Sequence, residues 1–227
     1  MSLELRRRQG RLPLVLLERG CRGGNGGEAA HYAAMVNARE RHDIDSLTDV
    51  AFRIFAERGF DATSMDEIAK AAGITKASIY HHVPGKEALL ARGLERALTA
   101  LFAVLDEPTA RKGNARARLE AIVVRVAEVT MQLLPEVSVL FRVRGNSKTE
   151  RAAMERRRAF DAHVTELVRS AQSDGSIRSD VDAGLATRLA FGMSNSVVEW
   201  YRPGGRIAAW QIARAISRVV FEGLGAI

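Results

Sequence analysis

The chain is predicted to be all-α: a three-helix head of helix-turn-helix type followed by a larger helical body. Three observations predict this. Apolar residues recur with a helical period from Asp45 onward, glycines and prolines interrupt that period at helix-like lengths, and the second half reads as helices only. The 227 residues suffice for one large domain or two small ones. Apolar residues at 47% and charged residues at 27% describe a globular protein rather than a fibrous or disordered one. No apolar stretch approaches the ~20 residues of a membrane helix, so a cytoplasmic protein is expected.

Residues 1–40 differ from the rest and are expected to be a disordered extension. The six-residue run "LPLVLL" is shorter than the ~7–15 residues of a signal-peptide core. "GCRGGNGGE" then places five glycines in nine residues, which bury little and retain much backbone entropy. An alternative reading takes Met35 as the authentic start and the residues before it as a start-site artefact. A single cysteine, Cys21, argues against a disulfide framework.

The head is expected over residues 41–92. Leu47, Val50, Ala51, Ile54 and Phe55 fall on one face of a first helix, and Gly59 stops it. In "DATSMDEIAKAAG", Thr63 or Ser64 caps a second helix, each with an acid three residues on. Gly73 ends that helix. Thr75 then caps a short third helix running to His82, which stops before Pro84 because the residue preceding proline avoids the α region. "GKEALLARGLERALTALFAVL" forms a long fourth helix.

The body is expected over residues 93–227. "NARARLEAIVVRVAEVTMQLL" runs to Pro135, and "PEVSVLFRVRG" is a shorter segment whose apolar run mimics a strand. A long helix begins at Lys148 and stops at Asp174-Gly175. "AGLATRLAFGMSNSVVEW" and "IAAWQIARAISRVVFEGL" are the last two. Their apolar faces carry Leu185, Leu189, Val197 and Trp200, then Ile212, Ile216, Val219 and Val220. Paired with a second copy they would form a four-helix, twofold interface.

A net charge of +7 suggests an anionic partner, but the placement of the charge is more informative. Residues 46–96 hold seven basic and seven acidic side chains, whereas residues 142–158 carry +5. DNA binding must therefore be argued from position. A helix of about nine residues, a glycine turn and a short capped helix have the spacing of a helix-turn-helix. On the second helix Lys76, Ser78, Tyr80 and His81 point outward, while Ile74, Ile79 and Val83 pack inward. Lys86 stands in the next helix's first turn, where free N–H groups favour a phosphate.

The adjacent His81 and His82 invite a metal or catalytic reading, which their spacing removes. Metal ligands on one helix converge at i, i+3 or i, i+4, whereas neighbours diverge by ~100°. No acyl-transfer, P-loop or metal signature occurs. No catalytic residue, metal site or cofactor is therefore expected. His81 is read as a partner of Tyr80 at backbone phosphates, and His82 as packed at the helix end.

"IFAERGFDATSMDEIAKAAGITKASIYHHVPGKEALL" resembles the DNA-binding domain of the TetR family of transcriptional regulators. The resemblance implies a homodimer reading a palindromic operator in double-stranded DNA, with an inducer bound in the body. By position it turns Thr75, Lys76, Ser78, Tyr80 and His81 to the DNA and gives Lys86 a phosphate. Thr63, and Arg41 ahead of the first helix, complete the expected set. The chain departs from the family's common residues at Ala77, Val83, Gly85 and Ile44. Gly85 caps less well than serine by a few tenths of a kcal/mol.

In the body, "FRVRGNSKTERAAMERRRAFDAHV" and "NSVVEWYRPGG" are similar to actinobacterial regulators of phenylacetate, steroid or fatty-acid catabolism, several of which respond to CoA thioesters. Arginines hold phosphates bidentately, so Arg142, Arg144 and Arg151 are the expected anionic subsite. Phe141, Phe160, His163, Met193 and Trp200 are the expected pocket wall. Arg156–Arg158 are read as a solvated face. The expected function is a repressor released from its operator by a small apolar effector, such as an acyl- or aryl-CoA. The alternatives are an activator or constitutive regulator without an inducer and, distantly, an enzyme on a helical scaffold.

Overall fold

The first helix begins where the carboxylate of Asp43 accepts the Ser46 N–H, closing an N-terminal donor that the helix leaves open. The computed structural model describes residues 43–223. The expectations for residues 1–40, Met35 and Arg41 lie outside that range. Among the described residues every regular element is a helix.

Three short helices form the head. Helix α1 (Ile44–Arg58) stops at Gly59, whose φ of 91° suits glycine. Helix α2 (Met65–Ala72) starts in a full capping box: Ser64 Oγ accepts the Glu67 N–H, and the Glu67 carboxylate accepts the Ser64 N–H. It ends at Gly73 in the left-handed region (φ 73°). Helix α3 (Lys76–His82) is capped by Thr75, whose Oγ1 accepts the Ser78 N–H.

The body follows as α4 (Lys86–Asp106), α5 (Pro108–Arg111), α6 (Ala115–Gln132) and α7 (Leu134–Arg142). Helices α8 (Lys148–Ser173), α9 (Ala183–Trp200) and α10 (Ala209–Glu222) complete it. The single turn α5 was not foreseen; Pro108 at its start is pre-set for a first helical turn. The apolar run of residues 135–145 is helical through Arg142, because Pro135 at a helix start costs no hydrogen bond.

One apolar core runs from head to body. It joins Leu47, Phe52 and Phe55 of α1 to Leu90 and Leu94 of α4 and to Val137 and Leu140 of α7. Arg96 on α4 braces the same junction, pairing with Asp49 of α1 and with the buried Glu136 of α7. A second cluster packs Val123, Ala127 and Met131 of α6 against Val197, Ile212 and Ile216. Those last three, expected at a subunit interface, are therefore the chain's own core. Among the described residues, the large hydrophobic side chains that remain exposed are Tyr80 on the head and Leu185, Leu189, Trp200, Ile207 and Trp210 on the body.

Candidate DNA-binding face and effector cavity

Helix α3 buries Ile79 and exposes Thr75, Lys76, Tyr80 and His81, with Ser78 half-buried. Tyr80 keeps 48% of its surface exposed. Lys76 reaches back to Asp66 of α2 at 3.0 Å, and both side chains remain largely solvated. Hydrogen bonding to Asp66 holds the Lys76 ammonium above the ordinary lysine range. Lys76, Tyr80, Ser64 and Lys86 border one shallow concavity between α2, α3 and the start of α4.

Three expectations in this region need correction. Thr63 is 2% exposed, and its hydroxyl donates to the Gly59 carbonyl at 2.7 Å, so Ser64 is the hydroxyl at the surface. The Lys86 ammonium donates to the carbonyls of Phe60, Asp61 and Thr63 at 3.0–3.2 Å and sits over the Phe60 ring. With three donors committed to carbonyls, it fixes the α1–α2 turn instead of standing free for a phosphate. His82 is exposed rather than packed, because Val83 one position on fills the core beneath it.

The body holds a cavity of about 500 Å³ between α4, α6, α7, α8 and α9. Its apolar wall includes Phe141, Phe160 and Phe191, and the last two rings lie 5.6 Å apart. Its polar wall comprises Arg157, Asp161, Thr187, Arg188, Asn195 and Glu199. Burial pushes the Asp161 carboxyl above the usual carboxylate range, while the charges of Arg157 and Arg188 pull the other way. Arg157 donates to the Leu140 carbonyl at 3.1 Å and stands over the Phe141 ring.

Of the residues expected to line this site, Phe141 and Phe160 do so, while Met193 lines a neighbouring apolar cavity. Arg142 follows Phe141 by ~100° around α7 and donates instead to the Ala56 carbonyl of α1. It borders a separate pocket at the α1–α7 junction together with Arg144. Arg151 folds back onto the Gly145 carbonyl. His163, two positions past Asp161, faces solvent, and Trp200 is 52% exposed at the end of α9. Arg157, Asp161, Arg188 and Asn195 were missed. The signal that would have found Arg157 and Asp161 is their spacing of three and one from Phe160; for Arg188 and Asn195 it is three and four from Phe191.

Among the described residues, no group of three or more His, Cys, Asp or Glu side chains could hold a metal ion. No helix there is long and apolar enough to cross a membrane. A capped reading helix exposed on a three-helix head, above a helical body with an amphipathic cavity, defines a ligand-binding helix-turn-helix regulator. Comparison with known proteins makes this specific. A model for bacterial regulatory proteins of the tetR family matches residues 47–92, and one for the tetracyclin repressor-like C-terminal domain matches residues 112–224. The transcriptional repressor KstR2 of Rhodococcus jostii (strain RHA1) is 34% identical over 185 residues, covering 78% of this chain and 89% of that protein.

Solved structures agree. A TetR-family regulator from Streptomyces coelicolor A3, SCO3833, is 53% identical with a TM-score of 0.75, covering 79% of this chain and 91% of that one. The ketosteroid regulator KstR2 of Mycobacterium tuberculosis is 27% identical with a TM-score of 0.73, covering 79% and 93%. AibR in complex with isovaleryl coenzyme A and operator DNA is 25% identical with a TM-score of 0.66, covering 78% and 97%. The chain belongs to the TetR family of transcriptional regulators, which bind operator DNA, dimerise and take small-molecule effectors.

Proposed function

We propose that the protein is a repressor released from a palindromic operator by an amphipathic anionic effector of the acyl- or aryl-CoA thioester class. The observation that carries this reading is the body cavity, where two arginines, an aspartate and a glutamate face a wall of three phenylalanines. An anion with an apolar body meets complementary groups there, and Arg157 and Arg188 supply the planar forks that phosphate or carboxylate oxygens accept from. KstR2 relatives are repressors, and the AibR complex pairs a CoA thioester with operator DNA on the same fold.

On the head, Thr75, Lys76, Ser78, Tyr80 and His81 face the major groove. The uncapped first turn of α4 meets backbone phosphates beside them. Leu185, Leu189, Trp200, Ile207 and Trp210 supply the face for a second copy. The test combines gel shift and calorimetry. Purified protein binds a palindrome near its own gene, CoA thioesters release it, and the matching free acids do not. Release by free acids but not by thioesters would sink the thioester assignment while leaving the regulator intact.

A further inference from the structure

A second cavity of about 390 Å³ adjoins the first, and Thr187 and Phe191 line both. Two helices run the length of the pair. On α6, Val126 and Thr130 face the first cavity, while Arg116, Leu119 and Val123 face the second, in one stripe whose steps alternate between three and four residues. On α8, Arg157, Phe160 and Asp161 face the first, while Val164, Val168 and Gln172 continue into the second. The two spaces are thus successive stretches of one α6–α8 channel, crossed by α9 where Phe191 divides them.

The chemistry differs along the channel. The first stretch carries Arg157, Asp161, Arg188, Asn195 and Glu199. The second is walled mainly by aliphatic side chains and Phe221, with Arg116 and Arg178 as its charged groups. Val219, Val220 and Phe221 of α10 close it on one side. A gradient from charged to apolar along one line matches a ligand built the same way.

We propose that this channel takes one elongated amphipathic ligand. Its anionic group lies at the Arg157–Arg188 end, and an extended hydrocarbon moiety passes Phe191 into the second cavity. The proposal rests on the first cavity being the effector site and adds the length of the effector. Short thioesters fill only the first stretch; long ones fill both and bind more tightly.

The test is calorimetry with acetyl-, hexanoyl- and dodecanoyl-CoA on the full chain. Wild-type affinity is expected to rise with chain length, by up to roughly fourfold for each methylene fully withdrawn from water. Ala190→Phe on α9 and Val168→Phe on α8 each fill the second cavity from a different helix. Each is expected to retain operator binding and acetyl-CoA affinity while losing most of the gain for dodecanoyl-CoA. Equal wild-type affinity for all three thioesters overturns the proposal and leaves the effector reading standing. So does a length gain that both folded variants retain, since the chain then lies elsewhere. Binding of none of the three overturns the effector reading and this one together.

Discussion

Gly93 of α4 faces Phe52 of α1 so closely that a Cβ built on it would lie 2.0 Å from the ring's Cε2 and 2.3 Å from Cζ. Carbon atoms in contact sit ~3.5–4.0 Å apart, so Gly93→Ala demands about 1.5 Å of relief. Phe52 is fully buried and edge-on to Phe55 at 5.5 Å, so its ring cannot swing without displacing a second ring. Overpacking of this kind costs about 1–3 kcal/mol, and a ring forced off its rotamer adds ~0.5–1.5 kcal/mol. The opposing gain from replacing a mid-helix glycine is about 1 kcal/mol. Destabilisation wins, by roughly 2 kcal/mol. For a chain of this size that lowers the Tm by about 4–8 °C, read by circular dichroism at fixed protein concentration because dimerisation shifts the midpoint. Because α1 sits on α4 through this contact, operator affinity is expected to fall as well. Phe52→Leu combined with Gly93→Ala removes the clashing ring atoms, so the pair should cost less than the sum of the single changes. A Gly93→Ala protein that melts at or above the wild-type temperature refutes the close-approach argument.

Asp161→Asn should raise the Tm at neutral pH, because burial holds the carboxyl above the usual carboxylate range. A carboxyl with a raised folded pKa penalises the folded state above that pKa and is relieved as pH falls through it. The Tm difference should therefore shrink as the pH falls into the acidic range and wild-type Asp161 takes up its proton; a constant difference across pH contradicts the assignment. Lys86→Met should lower stability by about 1–3 kcal/mol through the loss of its charge-assisted carbonyl bonds, whereas Tyr80→Ala should leave thermal stability nearly unchanged. Both should weaken operator binding, and equal melting curves for the two variants would remove the distinction between clamp and contact. Arg142→Gln should leave operator and thioester affinities, each measured alone, within about twofold of wild type while reducing the extent to which one ligand weakens the other. Unchanged coupling in a thioester-titrated gel shift counts against a role for the Ala56 bond.

The fold was legible because its punctuation is local. Gly59, the Ser64–Glu67 box, Gly73 and Thr75 each mark a helix end through backbone chemistry that a few neighbouring residues determine. The exposed side of α3 was legible for the same reason except at His82, since Ile79 fixes which way most of a seven-residue helix faces. The cavity was not. Arg142 and Arg157 are both arginines in one basic segment, and which of them enters depends on the rotation of α7 and α8 against α4 and α6, a tertiary quantity. Lys86 misled for a related reason: its partners are carbonyls at residues 60, 61 and 63, more than twenty positions away, and carbonyls leave no trace in side-chain composition. The same blindness placed Val197, Ile212 and Ile216 at a subunit interface, because an apolar stripe looks alike whether it meets its own chain or a second copy.

Helix α7 is where cavity and head meet, and its geometry restricts how they can communicate. Phe141 lines the cavity proposed as the effector site, and the adjacent Arg142 holds the last turn of α1 through the Ala56 carbonyl. At the other end of α7, Glu136 shares Arg96 with Asp49 near the start of α1. A nine-residue helix pinned to α1 at both ends cannot translate at the cavity without tilting the head or breaking one of those attachments. Arg157 donates to the Leu140 carbonyl, so an anion that draws this guanidinium into the cavity pulls directly on α7. A ligand shifts an equilibrium only by its differential affinity for the two states, and Arg157 supplies a contact whose geometry depends on where α7 stands. If the first cavity is the effector site proposed above, the charged residues beside the phenylalanines do two things at once: they meet the effector's anionic group, and they tie its arrival to the helix pinned against α1.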